Sequence, residues 1–169
     1  GATLYNLSAA RAAAHKGALL IAVEGYVDVI ALVTAGFAAA VAPLGTALTE
    51  EQIAILWKMI PCERKIPVLC FDGDNAGRRA AARACERILP LLEPNQSARF
   101  AFLPEGQDPD SLIKGQGKAS FQQVLDNAMP LSEFLWMHHT AGKDFNTPEA
   151  KAGLEKLLEE ETLRIADRT

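Results

Sequence analysis

Asp72-Gly73-Asp74 closes a short apolar run, Val68-Leu69-Cys70-Phe71, that reads as a buried strand. Two carboxylates held one glycine apart at the carboxyl end of a strand face the crevice where an open α/β sheet takes its ligands, and Gly73 lets the turn aim both at one point. Hard oxygen donors with no lysine beside them suit Mg²⁺ or Mn²⁺. The same triplet also fits a solvated turn whose Asp caps the following helix, so taken alone it leaves both readings open. The theme recurs twice. Ala18 to Val23 is a continuous apolar stretch followed by Glu24-Gly25, and Ala98 to Phe102 leads through Leu103-Pro104-Glu105-Gly106-Gln107 to Asp108-Pro109-Asp110. Asp108 before Pro109 is equally the N-cap and first position of a helix.

If three parallel strands end in these acids, Glu24, Asp72 with Asp74, and Asp108 with Asp110 converge. Neighbouring carboxylates repel by about 4 kcal/mol per pair at ~4 Å and an effective dielectric of ~20, a cost that divalent ions remove. Two such ions can hold the attacking and leaving oxygens of an in-line phosphoryl displacement, with Glu24 ligating a metal or handling a proton. No Ser-His-Asp set accompanies the acids, and Tyr26 reads as part of a buried helix start, so the nucleophile would come from the substrate. His138 and His139 are adjacent, hence on different sides of a helix, and without Cys or acidic partners at ligand spacing they read as surface or packing residues.

The elements that must position the acids alternate along the chain. Tyr26 to Ala35 is a short helix with Val27, Ile30, Ala31 and Val33 as its buried positions and Gly36 as its C-terminal cap. Phe37 to Ala42 is a strand, Pro43-Leu44-Gly45-Thr46 a turn, and Thr49-Glu50-Glu51-Gln52 a capping box opening a helix to about Met59. From about Ala76 to Leu92 a helix buries Ala80, Ala81, Ala84, Ile88 and Leu91, with Arg79, Arg83 and Arg87 on a solvated face. This alternation calls for an α/β fold: a mostly parallel sheet of about four strands, with right-handed crossovers and flanking helices. After Gly117 only helical patterns remain, marked by Phe121, Val124 and Leu125, then Leu131, Phe134, Leu135 and Met137, then a helix capped by Thr147-Pro148-Glu149. The expected organisation is an N-terminal segment over residues 1–17, the α/β domain over 18–116 and a small helical subdomain over 117–169. Neither end carries a helix start or stop signal, and the expectation is a piece cut from something longer.

Composition narrows the setting. With 169 residues and 49% hydrophobic content the chain is long enough for one real core. A net charge of −4 counts against a self-sufficient nucleic-acid binder, so any such contact needs local basic groups or metal ions. Cys62, Cys70 and Cys85 form no C-x-x-C pair and read as reduced thiols of a cytoplasmic protein. No apolar run is long enough to span a bilayer and no signal peptide precedes them, so no membrane partner is expected.

Five segments in order, Val23-Glu24-Gly25-Tyr26-Val27-Asp28-Val29-Ile30, Pro43-Leu44-Gly45-Thr46-Ala47-Leu48-Thr49, Asp72-Gly73-Asp74-Asn75-Ala76-Gly77-Arg78, Pro104-Glu105-Gly106-Gln107-Asp108-Pro109-Asp110 and Met129-Pro130-Leu131-Ser132-Glu133-Phe134-Leu135, together resemble the TOPRIM catalytic core of the bacterial DNA primase family. Glu-Gly with Asp-x-Asp supports only the wider TOPRIM group; the Leu-Gly-Thr-Ala and Asp-Pro-Asp segments narrow the resemblance to primase. It implies an enzyme that copies single-stranded DNA into short RNA primers from ribonucleoside triphosphates, by nucleotidyl transfer assisted by Mg²⁺ or Mn²⁺. It carries Glu24, Asp28, Asp72, Asp74, Asp108 and Asp110 over as the acidic, metal-binding set, with Glu24, Asp72 and Asp74 catalytic. Arg78, at a helix start, becomes a triphosphate contact. Asp28, one helical turn past Glu24, also reads as a plain polar helix residue, and Arg78 as a solvated one.

In that family a zinc-binding domain and a basic template-binding subdomain lie upstream, and a helicase-binding domain lies downstream. None is present here, so zinc is not expected in this stretch, residues 1–17 resemble the tail of the basic subdomain, and the replicative helicase would be met through a missing C-terminal domain. The loop from Ile60 to Pro67 is longer than the family suggests, which should affect the sheet edge more than the chemistry. Two other readings remain: a TOPRIM nuclease or topoisomerase fragment, which cuts DNA and, for a topoisomerase, needs a tyrosine from elsewhere; and a metal-binding interaction module without turnover of its own.

Overall fold

The computed structural model describes residues 2–166; Gly1 and residues 167–169, and with them the expectations about the chain ends, lie outside it. In chain order the elements are β1 (Leu4–Tyr5), α1 (Leu7–His15), β2 (Ile21–Ala22), α2 (Tyr26–Ala35), β3 (Ala40–Pro43), α3 (Glu50–Met59), β4 (Val68–Phe71) and α4 (Asn75–Ile88). A short 3₁₀ turn, Leu89–Leu91, carries the chain past Pro90 to β5 (Arg99–Phe102), α5 (Pro109–Gln116), α6 (Lys118–Asp126), β6 (Met129–Pro130), α7 (Leu131–Thr140) and α8 (Pro148–Ala166).

The strand order is β1-β3-β2-β4-β5-β6. The inner four are parallel, with Ala22 opposite both Val41 and Leu69, and Val68 to Phe71 paired with Arg99 to Phe102. Nearly all their side chains are buried, as expected of strands covered on both faces. One face packs against α1, α3, α4 and α7 through Ala10, Ile53, Ala81 and Phe134. The other packs against α2, α5 and α6 through Val29, Leu32, Leu112 and Phe121. The chain before β4 lengthens the pairing of β4 with β5, which are inner strands: Lys65 N–H donates to the Asn95 carbonyl at 2.8 Å, and Ser97 N–H to the Lys65 carbonyl at 3.1 Å.

The sheet is wider than the sequence pattern indicates. β1 pairs antiparallel with β3, with Leu4 opposite Pro43, held by Gln52 Nε2 donating to the Thr3 carbonyl at 2.9 Å and Asn6 Nδ2 donating to the Ala40 carbonyl at 3.0 Å. Gln52 also completes the predicted capping box with Thr49. At the other edge β6 pairs antiparallel with β5, so the expectation that only helices follow Gly117 is corrected. A two-residue strand has no period to read; its partner alone defines it.

The face assigned to α2 is also corrected. Val27, Ile30 and Val33 are 47%, 49% and 41% exposed, while Asp28, Val29 and Leu32 point inward. A helix apolar on nearly every side carries no phase in its hydropathy, and packing against α5 sets its rotation. Gly36 does take the left-handed cap, with φ of 104°. Cys70 and Cys85 are buried and Cys62 is exposed, all three free. Among the described residues no helix is long and apolar enough to cross a membrane.

Candidate active site

β2 has β3 on one side and β4 on the other, so the chain reverses direction across the sheet between β2 and β4 and opens a crevice beyond their carboxyl ends. Glu24 follows β2 and Asp72 follows β4. The two meet there: the Asp72 backbone N–H donates to Glu24 Oε2 at 2.7 Å.

The turn carrying Asp72 and Asp74 is stitched to the one before Asp108. Gly73 N–H donates to the Gln107 carbonyl at 2.9 Å, and Gly106 N–H donates to the Gly73 carbonyl at 2.8 Å. A Cβ on Gly73 would lie 1.9 Å from the Pro104 carbonyl oxygen, so the glycine is required for space; its backbone is not left-handed. Gly77 plays the same part on the other side, where a Cβ would lie 2.1 Å from the Asp72 carbonyl oxygen and the first turn of α4 rests on the strand end.

The capping reading left open for the aspartates is what the structure shows. Asp74 caps α4 by accepting the Gly77 N–H at 2.6 Å, and Asp108 caps α5 by accepting the Ser111 N–H at 2.7 Å. Each cap engages Oδ1, which leaves Oδ2 of each residue for a ligand. Asp110, on the first turn of α5, pairs with Lys114 at 3.0 Å. Asp28 is 7% exposed, and its Oδ1 accepts the Asp110 N–H at 3.1 Å. Arg78 stays exposed on the first turn of α4 with its guanidinium on Asn75 Oδ1.

Crowding shows in the proton affinities. The Asp72 carboxyl is pushed up to about 7, first by burial and then by Glu24, Asp28, Asp108 and Asp74. Burial likewise raises Asp28 to about 6, opposed by the Asp110 N–H and reinforced by Asp108, Asp110 and Glu24. Four of the other five predicted acids therefore act on Asp72, and Asp110 joins through Asp28. Among the described residues, no three of His, Cys, Asp or Glu converge closely enough to hold an ion as they stand. The caps hold one oxygen of Asp74 and Asp108 back. The donor chemistry, carboxylate oxygen throughout, fits a hard divalent cation such as Mg²⁺ and not zinc in a cysteine or histidine site.

Beside Glu24 lies a pocket of about 300 Å³ between the Pro43-to-Leu48 loop and α4. Its floor is Ala22, Leu69, Phe71 and Ala84, and Arg83 and Arg87 stand on its wall. Arg87 donates to the Leu48 carbonyl at 2.5 Å and is half-buried, so it does not belong to a plain solvated face, while Arg83 is exposed as expected. Their i, i+4 spacing alongside the small residues Ala80 and Ala84 was the signal that they border the sheet.

Comparison with known proteins places this geometry. A family model described as Toprim-like matches residues 21–113. The DNA primase of Pasteurella multocida is 46% identical over 157 residues, covering 93% of this chain and 26% of that protein. A DNA primase domain from Pseudomonas aeruginosa superposes with a TM-score of 0.88 at 42% identity, covering 98% of this chain and 50% of that one. A primase catalytic domain bound to single-stranded DNA superposes with a TM-score of 0.85 at 39% identity, covering 98% and 53%. The chain thus spans about a quarter of the length of the curated relatives it matches.

Proposed function

The chain belongs to the Toprim-like family, alongside the catalytic cores of bacterial DNA primases, and from that premise we propose that it carries the nucleotidyl-transfer site of a primase that makes short RNA primers on single-stranded DNA. The observation that carries the reading is the Glu24–Asp72 hydrogen bond at the crevice, with the Asp108 turn stitched to the Asp72 turn by two backbone hydrogen bonds. These contacts support the reading by tying the turns that carry the acids to one another.

In the reaction the 3′-hydroxyl of the growing primer attacks the α-phosphorus of a ribonucleoside triphosphate, the new P–O bond forms, and pyrophosphate leaves. Mg²⁺ or Mn²⁺ bound among Glu24, Asp72, Asp74, Asp108 and Asp110 would neutralise the phosphates and favour the alkoxide. Glu24 is tethered through one oxygen and serves as a ligand or takes the hydroxyl proton. The turns of Asp74 and Asp108 hold their caps while offering the second oxygen. Arg78, exposed at the rim, reaches the triphosphate tail only by leaving Asn75. The template, the triphosphates and a replicative helicase are the partners of the intact cytoplasmic enzyme; the helicase docks outside this stretch.

Primer synthesis and DNA cleavage measured on one sample of the intact polypeptide with Mg²⁺ test the reading. Primers without cleavage are expected. Cleavage without primers would favour a TOPRIM nuclease, and Mn²⁺ binding with neither activity would favour an interaction module.

This stretch alone is expected to bind single-stranded DNA weakly. Its charge is −4, and contacts to phosphate supply most non-specific affinity. Fluorescence anisotropy should give a dissociation constant weaker than ~10⁻⁵ M at physiological salt and a shallow salt slope. Tight binding would locate template contacts within these residues.

A further inference from the structure

Asp28 differs from the other acids in what it touches. It lies on the inward face of α2 with Val29 and Leu32, among side chains that pack against the sheet, where an unpaired carboxylate is costly. Its partner is the backbone of α5. A helix start leaves free N–H groups, and in α5 each one is accounted for. Pro109 has none, Asp110 N–H goes to Asp28 Oδ1 at 3.1 Å, Ser111 N–H goes to Asp108 Oδ1 at 2.7 Å, and Leu112 N–H goes to the Asp108 carbonyl at 3.0 Å. Without Asp28, the Asp110 donor would be left without its protein acceptor at the packed contact between α2 and α5.

We propose that Asp28 is a positioning residue, which pins the first turn of α5 to α2 and so sets where Asp108 faces Asp72, and is not itself a metal ligand. Asp108 then depends on two anchors. The stitch through Gly73 and Gly106 fixes the loop before it, and Asp28 fixes the helix after it. The inference rests on the carboxylate crevice being a divalent-cation site, and it separates Asp28 from the set with which the sequence groups it.

Asp28→Asn and Asp28→Ala distinguish the roles, because asparagine keeps an oxygen acceptor at the same place and loses the charge. Amide hydrogen exchange in the metal-free chain is the first measurement. Protection of Asp110 is expected to survive in Asp28→Asn and to fall in Asp28→Ala. Mn²⁺ titration by electron paramagnetic resonance is the second. Asp28→Asn should stay within about 3-fold of the parent, while Asp28→Ala should lose ~10- to 100-fold, the range seen when a group that orients a ligand is removed. In the intact polypeptide, primer synthesis should follow the same order, with kcat falling more than KM changes. Equal loss of Mn²⁺ affinity in both variants would make Asp28 a ligand and overturn the proposal, as would unchanged Asp110 protection in Asp28→Ala. If Asp28→Ala does not fold, Asp28→Asn decides: retained protection and affinity support positioning, and lost affinity overturns it. If the parent chain binds no Mn²⁺, the cation reading of the crevice fails, and the exchange measurement still decides whether Asp28 holds α5.

Discussion

Asp72→Asn and Glu24→Gln, each in the intact polypeptide, are expected to lower primer synthesis by at least ~10²-fold while leaving a cooperative thermal melt. Both substitutions keep side-chain shape and remove a charge, so they isolate what the carboxylate does. Asp72→Asn should also have an opposite effect on stability. The folded-state value near 7 stands above the ordinary 3.8, so the fold binds the proton more tightly than the unfolded chain does. That stabilisation is complete below 3.8 and is lost as pH rises through about 7. Asp28, raised to about 6, adds a contribution of the same sign. The metal-free parent should therefore melt at a lower temperature at pH 8 than at pH 5. Asp72→Asn should reduce that difference and raise the melting temperature at pH 8, since the repelled charge is gone. Mg²⁺ should raise the melting temperature of the parent at pH 8, do less at pH 5, and do little for the variant. Unchanged Mn²⁺ affinity in Asp72→Asn would remove Asp72 from the site, and near-normal primer yield in Glu24→Gln would remove Glu24 from the catalytic set.

How far the sequence foretells this site depends on whether the determinant is local. A parallel strand buried on both faces is a continuous apolar run, and the acid that ends it is an abrupt change of residue type, so Glu24 and Asp72 stand out. The caps at Gly36, Thr49 and Asp108 are legible for the same reason, each being set by residues within one turn. Two-residue edge strands are not, since β1 and β6 are strands only because Pro43 and Phe100 lie opposite them. The rotation of α2 escaped because Val27, Ile30 and Val33 are as apolar as the residues it buries. The contact of Arg87 is not legible because the loop that it meets, residues 43–48, is distant in sequence.

Gly73→Ala is expected to be the most disruptive substitution at the site, through backbone and not through charge. The added methyl would lie 1.9 Å from the Pro104 oxygen, 2.6 Å from the Pro104 carbonyl carbon and 2.8 Å from the Leu103 oxygen. All three are main-chain atoms at the end of β5, so no side chain can swing aside. The turn must move, and it takes with it the hydrogen bonds from Gly73 to Gln107 and from Gly106 to Gly73, which measure 2.9 and 2.8 Å. Overpacking costs roughly 1–3 kcal/mol and each lost hydrogen bond about 1 kcal/mol, giving a destabilisation of about 3–5 kcal/mol by chemical denaturation. A domain of this size has few such increments to lose. Gly106→Ala offers the contrast. Its φ is +74° and no atom lies near the added methyl, so that substitution should cost only the strain of a left-handed alanine, about 1 kcal/mol. The separation of the Asp72 and Asp108 turns should weaken Mn²⁺ binding in Gly73→Ala even where the fold survives at low temperature. Equal denaturation midpoints for Gly73→Ala and the parent would show that the two turns are not locked together, and the assembly of the acids would then need another cause.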